Sequence, residues 1–261
     1  MTSLSPRLQA VVERVLPGQP VADIGTDHGA LACALIREDR VPRAIAVDVA
    51  TGPVGRAQDA VHRAGLGARI SVRLGDGLGP LGPGEVGTVV LCGMGGATII
   101  RILEAGRDKL GAVARLVLSP HTAAPALRRS LVAWGWTDVD GCLVEDRGHV
   151  YSVAAWERGS ARWSEADYRW GRHVRARPDP LLAAQLERER VRLGAAHAAA
   201  QSGREPGDPE VEALALALGQ LDRELVRLGC YSSSSSATRG AQLNSPSRSS
   251  EGVAVDSGLV E

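Results

Sequence analysis

The chain has 261 residues, enough to bury one substantial core and to carry a smaller module. Its 30 basic and 30 acidic side chains balance to a formal charge of zero, which excludes a whole-molecule field that would steer the protein to nucleic acid or membrane. Any surface for such a partner must therefore be local.

The cysteines and the hydropathy of the chain further limit the classes of protein to which it can belong. The four cysteines lie far apart without a C-x-x-C pair, and no two histidines have metal-ligand spacing, so we expect free thiols and no metal. The N-terminus lacks the layout of a signal peptide, and no run approaches the roughly 20 apolar residues that span a bilayer. These features predict a cytoplasmic protein without a membrane segment.

Apolar runs and amphipathic segments alternate along the first half of the chain. A first helix is predicted at 5–16, where Ser5 can cap it and Pro6 suits its first turn. The later segments are strands at 20–25, 43–49, 69–74, 87–92 and 115–119, and helices at 28–37, 53–64, 97–104 and 123–134. This alternation predicts an α/β fold with a parallel sheet covered by helices on both faces.

The end of the predicted sheet breaks the alternation. Two strand-like runs, 136–145 and 149–156, are separated only by Asp146-Arg147-Gly148, which is too short for a crossover helix. We therefore expect an antiparallel hairpin at the end of a mainly parallel sheet. That arrangement is typical of the Rossmann-like class I S-adenosylmethionine methyltransferase sheet rather than of the all-parallel dinucleotide-binding sheet.

The C-terminal part is expected to be helical. Apolar residues repeat at heptad spacing in a segment near 211–228, and a weaker seam occupies 180–200, which predicts a helical coiled-coil hairpin. The preceding stretch, 156–177, is rich in arginine and tryptophan. The predicted units are a methyltransferase domain at 1–157, a helical domain at 158–228, and a disordered serine-rich tail at 229–261.

The stretch from Asp23 to Gly29 joins the first predicted strand to a helix. It is not the G-x-G-x-x-G of nicotinamide enzymes, because Asp27 takes the place of a glycine and its charge would repel a pyrophosphate. S-adenosylmethionine carries a sulfonium and an ammonium and no phosphate, so acidic residues suit it. We expect Asp23 to anchor the ammonium and Gly25 to allow close approach; the alternative for Asp23 is an ordinary polar residue after a strand.

Two more carboxylates follow the next two strands. Asp48 stands where an acid that binds a ribose diol is expected. Asp76, followed by Gly77, is expected to accept a hydrogen bond from the adenine amino group. The alternative for Asp48 is a helix-entry residue, and the alternative for Asp76 is a plain turn. Acids at the ends of three successive strands together favour a nucleoside-like cofactor.

The motifs at 21–29, 44–53, 72–78 and 90–103 together resemble the bacterial tRNA adenine-22 N1-methyltransferase family. The resemblance covers about residues 5–228, and its most specific parts are Asp-x-Gly-x-Asp-His and Gly-Met-Gly-Gly. It implies a Rossmann-like domain followed by a coiled coil, with S-adenosyl-L-methionine as cofactor and tRNA as partner. The sequence departs from the family at Asp48, where glutamate is expected, and at His121, where asparagine is expected.

The resemblance also implies residue roles. Asp27 is expected to be the catalytic residue that accepts from adenine N6 and stabilises the charge on the product. The other expected cofactor contacts are His28, Gly93 and Met94. The expected substrate contacts are Gly95, Gly96, His121, Arg172 and Arg175. For the two arginines the alternative is a solvated position beside tryptophans that pack the joint between sheet and helices.

Other functions remain open from the sequence alone. The first alternative is a class I methyltransferase that acts on another RNA site or a small molecule. The second is a nicotinamide oxidoreductase, which the acidic turn disfavours. The third is a non-enzymatic RNA-binding protein with a vestigial cofactor fold. A monomer is favoured, although the heptad seam allows pairing within or between chains.

Overall fold

A computed structural model describes residues 4–202 and 207–230. Its centre is a seven-stranded sheet in the order β3-β2-β1-β4-β5-β7-β6. The strands are β1 Val21–Ile24, β2 Ala44–Asp48, β3 Ile70–Leu74, β4 Thr88–Met94, β5 Arg115–Pro120, β6 Trp136–Asp146 and β7 His149–Arg158. β1 to β5 are parallel, and β7 pairs antiparallel with both β5 and β6. The predicted fold class is confirmed.

Helices connect the parallel strands. They are α1 Pro6–Arg14, α2 Ala30–Arg37, α3 Thr51–Arg63, α4 Gly96–Ala105 and α5 Ala124–Ala133, with a 3-10 helix at Arg107–Ala112. The local chemistry explains their starts: the Ser5 hydroxyl accepts from the backbone N–H of Leu8, and Pro6 opens α1. The glycine- and proline-rich segment between β3 and β4 contains no helix, as the sequence predicts.

Hydrophobic clusters fill both faces of the sheet, because side chains of a strand alternate between faces. Ile24 and Leu91 point into one cluster with Trp136, while Val21 and Val90 point into the other. Burying both faces explains why the strands are nearly continuous apolar runs. It also leaves the strand ends as the place for polar groups.

Two short helices that the sequence analysis missed lead to the C-terminal pair. They are α6 Glu165–Trp170 and α7 Arg172–Arg175. A capping box begins α6, since Ser164 and Asp167 exchange hydrogen bonds between side chain and backbone. That signal was present in the sequence, but the many arginines and aromatics of the segment concealed it.

The C-terminal helices, α8 Pro180–Gln201 and α9 Pro209–Arg227, pack against each other. One apolar cluster joins Leu182 and Leu186, near the start of α8, to Leu221 and Leu225, near the end of α9. The pair is therefore antiparallel, and the C-terminal part of the heptad seam is buried within one chain. The predicted serine-rich tail lies outside the described residues beyond position 230, and the predicted domain boundary at 157 falls inside β7.

Within the described ranges, no helix is both long and apolar enough for a membrane span.

Candidate active site

The carboxyl ends of β1, β2, β3 and β4 meet at one edge of the sheet. The strand order reverses at β1, whose neighbours are β2 on one side and β4 on the other. Such a switch point opens a crevice outside the strand ends, which is where open α/β sheets bind ligands. The acidic and glycine-bearing turns predicted from the sequence lie at this crevice.

Asp23 is a buried carboxylate on β1. It is 5% exposed, and its Oδ2 accepts a hydrogen bond from Thr26 Oγ1 at 2.7 Å. Burial raises its pKa to about 6; the Thr26 hydrogen bond opposes that shift, and the nearby negative Asp48 adds to it. No cationic side chain forms an ion pair with Asp23 among the residues that the structure describes. A buried acid without a cation is costly unless a ligand supplies one.

Asp48 lies beside it at the end of β2. Its Oδ1 accepts from the backbone N–H of Ala50 at 3.0 Å, and its Oδ2 accepts from that of Asp27 at 3.3 Å. Val49 is 68% exposed and Leu74, at the end of β3, is 54% exposed. Exposed apolar side chains next to an oriented carboxylate suit a ligand with a diol and an aromatic ring.

Gly25 and Met94 bring the two glycine-bearing turns into contact. Gly25 has φ +79°, and a Cβ there would lie 2.9 Å from Met94 Cε. Any other residue would be strained in that conformation, and the end of the Met94 side chain would have to shift to admit its Cβ. Gly93 also has a positive φ, +80°. The sequence motifs are therefore adjacent in space, as predicted.

Asp27 and His28 form a small exposed network with Arg56, a residue that the sequence analysis did not select. Asp27 Oδ1 is 2.9 Å from Arg56 Nη2, and Asp27 Oδ2 is 3.2 Å from His28 Nε2. Arg56 Nε donates to His28 Nδ1 at 3.1 Å. Arg56 belongs to α3, which follows β2, so Asp27 faces the β2 side of the crevice rather than the β4 side.

Asp76 and Gly77 follow β3 and line a cavity of about 420 Å³ between their loop and α4. Gly77 has φ +52°, and a Cβ there would lie 3.0 Å from Ile102 Cγ2. The close approach explains the glycine. The structure places Asp76 at the β3 end of the crevice, where the sequence analysis expected an adenine contact.

Gly95 and Gly96 pack tightly against the loop that follows β5. The N–H of Gly96 donates to the carbonyl of Thr122 at 2.8 Å, and a Cβ on Gly96 would lie 2.7 Å from the carbonyl oxygen of Ala123. A Cβ on Gly95 would lie 2.9 Å from Thr122 Oγ1. The side-chain positions are filled by protein, so this turn can offer a ligand only its backbone.

His121 lies in the same loop after β5, and its backbone N–H donates to the carbonyl of Met94 at 2.9 Å. Its ring contacts Tyr151, at 5.2 Å between centroids, and Arg7 of α1. Partial burial lowers the pKa of His121, and the positive charges of Arg7 and His149 lower it further. The sequence analysis selected His121 but missed Arg7 and Tyr151.

Arg172 and Arg175 lie at the joint between the sheet and the helical pair. Arg172 Nε is 2.9 Å from Asp138 Oδ1 on β6. Arg175 is 16% exposed; its Nε is 2.8 Å from Glu224 Oε1, and its Nη1 pairs with Asp167. The two guanidinium groups are engaged within the protein. The geometry therefore favours a role in the joint over the predicted tRNA contact.

Metal ligation and thiol chemistry find no support at the site. Across 4–202 and 207–230, no group of three or more His, Cys, Asp and Glu residues could hold a metal. Cys92 lies directly before Gly93, and burial raises the pKa of its thiol to about 12. Such a thiol is protonated at neutral pH and a poor nucleophile.

Comparisons with known proteins agree with this geometry. The sequence model described as "Methyltransferase domain" matches residues 4–154. A tRNA (adenine(22)-N(1))-methyltransferase of Bacillus subtilis is 40% identical over 156 residues, which are 60% of this chain and 66% of that protein. The matched stretch is thus just under two thirds of that relative's length.

Solved structures extend the likeness to the helical region. A Streptococcus pneumoniae protein described as "a putative tRNA (m1A22) methyltransferase" is 30% identical with a TM-score of 0.81, covering 85% of this chain and 100% of that chain. The same protein in complex with S-adenosyl-L-methionine gives a TM-score of 0.78 at 30% identity, with the same coverage.

The sheet with its antiparallel end and the acidic strand ends define a class I methyltransferase. This assignment replaces the nicotinamide oxidoreductase alternative. Within that class, the chain belongs to the tRNA (adenine(22)-N1)-methyltransferase family.

Proposed function

We propose that this protein transfers a methyl group from S-adenosyl-L-methionine to N1 of adenine 22 in tRNA. The observation that carries the proposal is the buried Asp23 carboxylate at the switch point, 5% exposed and without a cationic partner among the described residues. Family membership supports the substrate, and the S. pneumoniae relative with S-adenosyl-L-methionine bound supports the cofactor. A cytoplasmic location follows from a tRNA substrate.

The residues of the crevice fit this cofactor. Asp23 would hold its ammonium group, and Asp48 the hydroxyls of its ribose. Val49 offers apolar contact to the adenine ring, and Asp76 an acceptor for the adenine amino group. The remaining proposed contacts come from the glycine-bearing turns and their neighbours, which are Gly25, Gly77, Gly93, Met94 and His28.

The cofactor supplies an electrophilic methyl group on a sulfonium. Neutral adenine carries a lone pair on N1, so the protein needs no strong base to create the nucleophile, and its main contribution is alignment. The backbone of Gly95 and Gly96 would hold the target base by shape, because their side-chain positions are filled by the loop after β5. The base must first be turned out of the folded tRNA.

The helical region would supply contacts for the rest of the tRNA. A groove formed by α5, α6 and α8 is lined by Arg169, Arg188, Arg192 and Trp170, and also by Glu189, which pairs with Arg169 at 2.7 Å. The side chain of Arg192 is 73% exposed. Arginines and an aromatic ring beside a groove suit phosphates and bases. This groove replaces Arg172 and Arg175 as the proposed docking region. The part of the seam at Leu221 and Leu225, which is buried against α8, favours a monomer.

Asp27 is the proposed catalytic residue, and Asp27→Ala is expected to lower kcat about tenfold at saturating cofactor and tRNA. Its carboxylate would stabilise the charge that develops on the ring, an effect reduced by its 61% exposure. The matched control is Asp39→Ala. Like Asp27, Asp39 has a positive φ, +51°, and its carboxylate pairs with an arginine, Arg69, at 2.9 Å, as that of Asp27 pairs with Arg56. An unchanged kcat with weaker cofactor binding would instead assign Asp27 to the cofactor.

The substrate assignment is tested with two transcripts of one tRNA that differ only in A or G at position 22. Labelled methyl groups are expected on the A22 transcript and not on the G22 transcript. Equal labelling of both would assign the protein to another RNA site. Cofactor binding without transfer to either transcript would favour the non-enzymatic alternative.

A further inference from the structure

Arg7 is the only half-buried or buried arginine of the described ranges that has no oxygen partner. Its Nε is buried without a hydrogen-bond partner, and its Nη1 contacts His121 Nε2 alone. The others, in 4–202 and 207–230, reach carboxylates or carbonyls, as Arg115 reaches Glu157 and Arg128 reaches two backbone oxygens. Only Nε is withdrawn from solvent, so the outer edge of the guanidinium keeps donors that an anionic ligand can reach.

The neighbours of Arg7 leave its charge uncompensated. The guanidinium carbon lies 4.8 Å from the centroid of the Tyr151 ring, and His149 lies 6.3 Å from the same ring. A guanidinium can only donate, so the lone pair of His121 Nε2 faces Arg7 and the imidazole is neutral with its proton on Nδ1. No carboxylate forms an ion pair with Arg7 among the described residues.

This group adjoins the turn that we propose holds the target base. A Cβ placed on Gly93 would lie 4.0 Å from Arg7 Nη1, and the backbone of His121 is bonded to that of Met94 at 2.9 Å. Arg7 of α1 therefore places a positive charge on the β4 side of the crevice. The carboxylates Asp23, Asp27 and Asp48 lie on the β1 and β2 side. The two sides suit ligands of opposite charge.

We propose that Arg7, together with His121 and Tyr151, binds a phosphate group of the target nucleotide. The inference rests on the proposed function, because a turned-out adenosine carries a phosphate on each side of its ribose. Arginine binds phosphate with paired N–H groups, and here Nη2 and the second N–H of Nη1 remain for one, since neither is among the buried unpaired atoms. Fixing a phosphate next to the base pocket orients the nucleotide for transfer.

Arg7→Ala is expected to weaken tRNA binding about tenfold, as for one lost hydrogen bond to a charged group. The slope of log affinity against log salt should fall by about 0.7 to 0.9, which corresponds to one phosphate. Calorimetry should show unchanged cofactor affinity, which reports an intact fold. The control is Arg63→Ala, an exposed arginine at the far end of α3, which should change neither quantity. An unchanged affinity and slope in Arg7→Ala would overturn the proposal.

Chemical substitution in the tRNA identifies the phosphate without altering the protein. A neutral methylphosphonate at one of the two linkages of nucleotide 22 should lower kcat/KM of the wild-type protein about tenfold. It should have less than a twofold effect in Arg7→Ala, because the contact is already lost. Equal losses in both proteins, or no loss at either linkage, would overturn the proposal.

Inorganic phosphate distinguishes the two sources of this ligand. One pair of results would show that the site takes free phosphate and that the tRNA contact is wrong. The first is that phosphate, at matched ionic strength, inhibits the wild-type protein but not Arg7→Ala. The second is that neutralising either linkage of nucleotide 22 has no effect. Transfer by the wild-type protein to the unmodified A22 transcript tests the proposed function separately. The two proposals can therefore fail independently.

Discussion

Asp23→Asn is expected to weaken S-adenosyl-L-methionine binding about 100-fold and to raise the melting temperature of the cofactor-free protein. The carboxylate would lose its charged hydrogen bond to the ligand ammonium. Without ligand the same charge destabilises the folded protein, because burial raises the pKa of Asp23 from 3.8 to about 6. That shift corresponds to about 3 kcal/mol of unfolding free energy at neutral pH.

The pH dependence has a definite sign. A carboxyl whose pKa is raised by folding contributes stability below pH 3.8 that is lost as pH rises through about 6. Cofactor binding changes in the opposite sense, because only the ionised form attracts the ammonium. Affinity should therefore fall as pH is lowered through about 6, and calorimetry in buffers of different ionisation enthalpy should detect proton release on binding.

The control for this prediction is Asp39→Asn, which removes an exposed acid far from the crevice. It should leave both cofactor affinity and its pH dependence unchanged. If Asp23→Asn bound the cofactor as tightly as the wild-type protein, Asp23 would be an ordinary polar residue at a strand end. The central element of the proposed cofactor site would then be wrong.

Arg175→Ala is expected to lower the free energy of unfolding by about 2 kcal/mol. The substitution leaves Glu224, 6% exposed, and Asp167, 14% exposed, without their shared cation. The cost stays below the roughly 3 to 5 kcal/mol of an uncompensated buried charge, because Glu224 keeps its ion pair with Arg227. Urea unfolding followed by tryptophan fluorescence measures the change. Arg177→Ala, an exposed neighbour, should lower the stability by less than about 0.5 kcal/mol.

The same variants decide between the joint and the tRNA contact. In conditions that keep the fold intact, Arg175→Ala and the corresponding Arg172→Ala are each expected to leave the salt slope of tRNA binding unchanged. The reason is that both guanidinium groups already face carboxylates. A reduced slope without loss of stability would restore the tRNA contact predicted from the sequence.

The position of the acidic strand ends was predictable because it depends on local sequence. Asp23 and Asp48 end apolar strands, and parallel strands bring their carboxyl ends to one edge. Gly25 and Gly93 mark positive φ angles that favour glycine. Short-range rules therefore place the acidic half of the crevice and the turn that faces it.

The acceptor side was not predictable in the same way. Arg7 and His121 are 114 positions apart and meet only because α1 runs alongside β5, with the Arg14 carbonyl at the start of that strand and Arg7 near its end. Richness in arginine also does not reveal which groups are already paired inside the protein, as Arg175 is with Glu224. Tertiary contacts, rather than residue type, decide which charges are free for a ligand.

The most direct measurement is reverse transcription across a tRNA after incubation with the protein and S-adenosyl-L-methionine. A methyl group on N1 blocks the Watson–Crick edge of adenine, so the account predicts a new stop at position 22. The stop should be absent when position 22 is G and when the cofactor is omitted. Incorporation of label without a stop at 22, or a stop elsewhere, would contradict the proposed function.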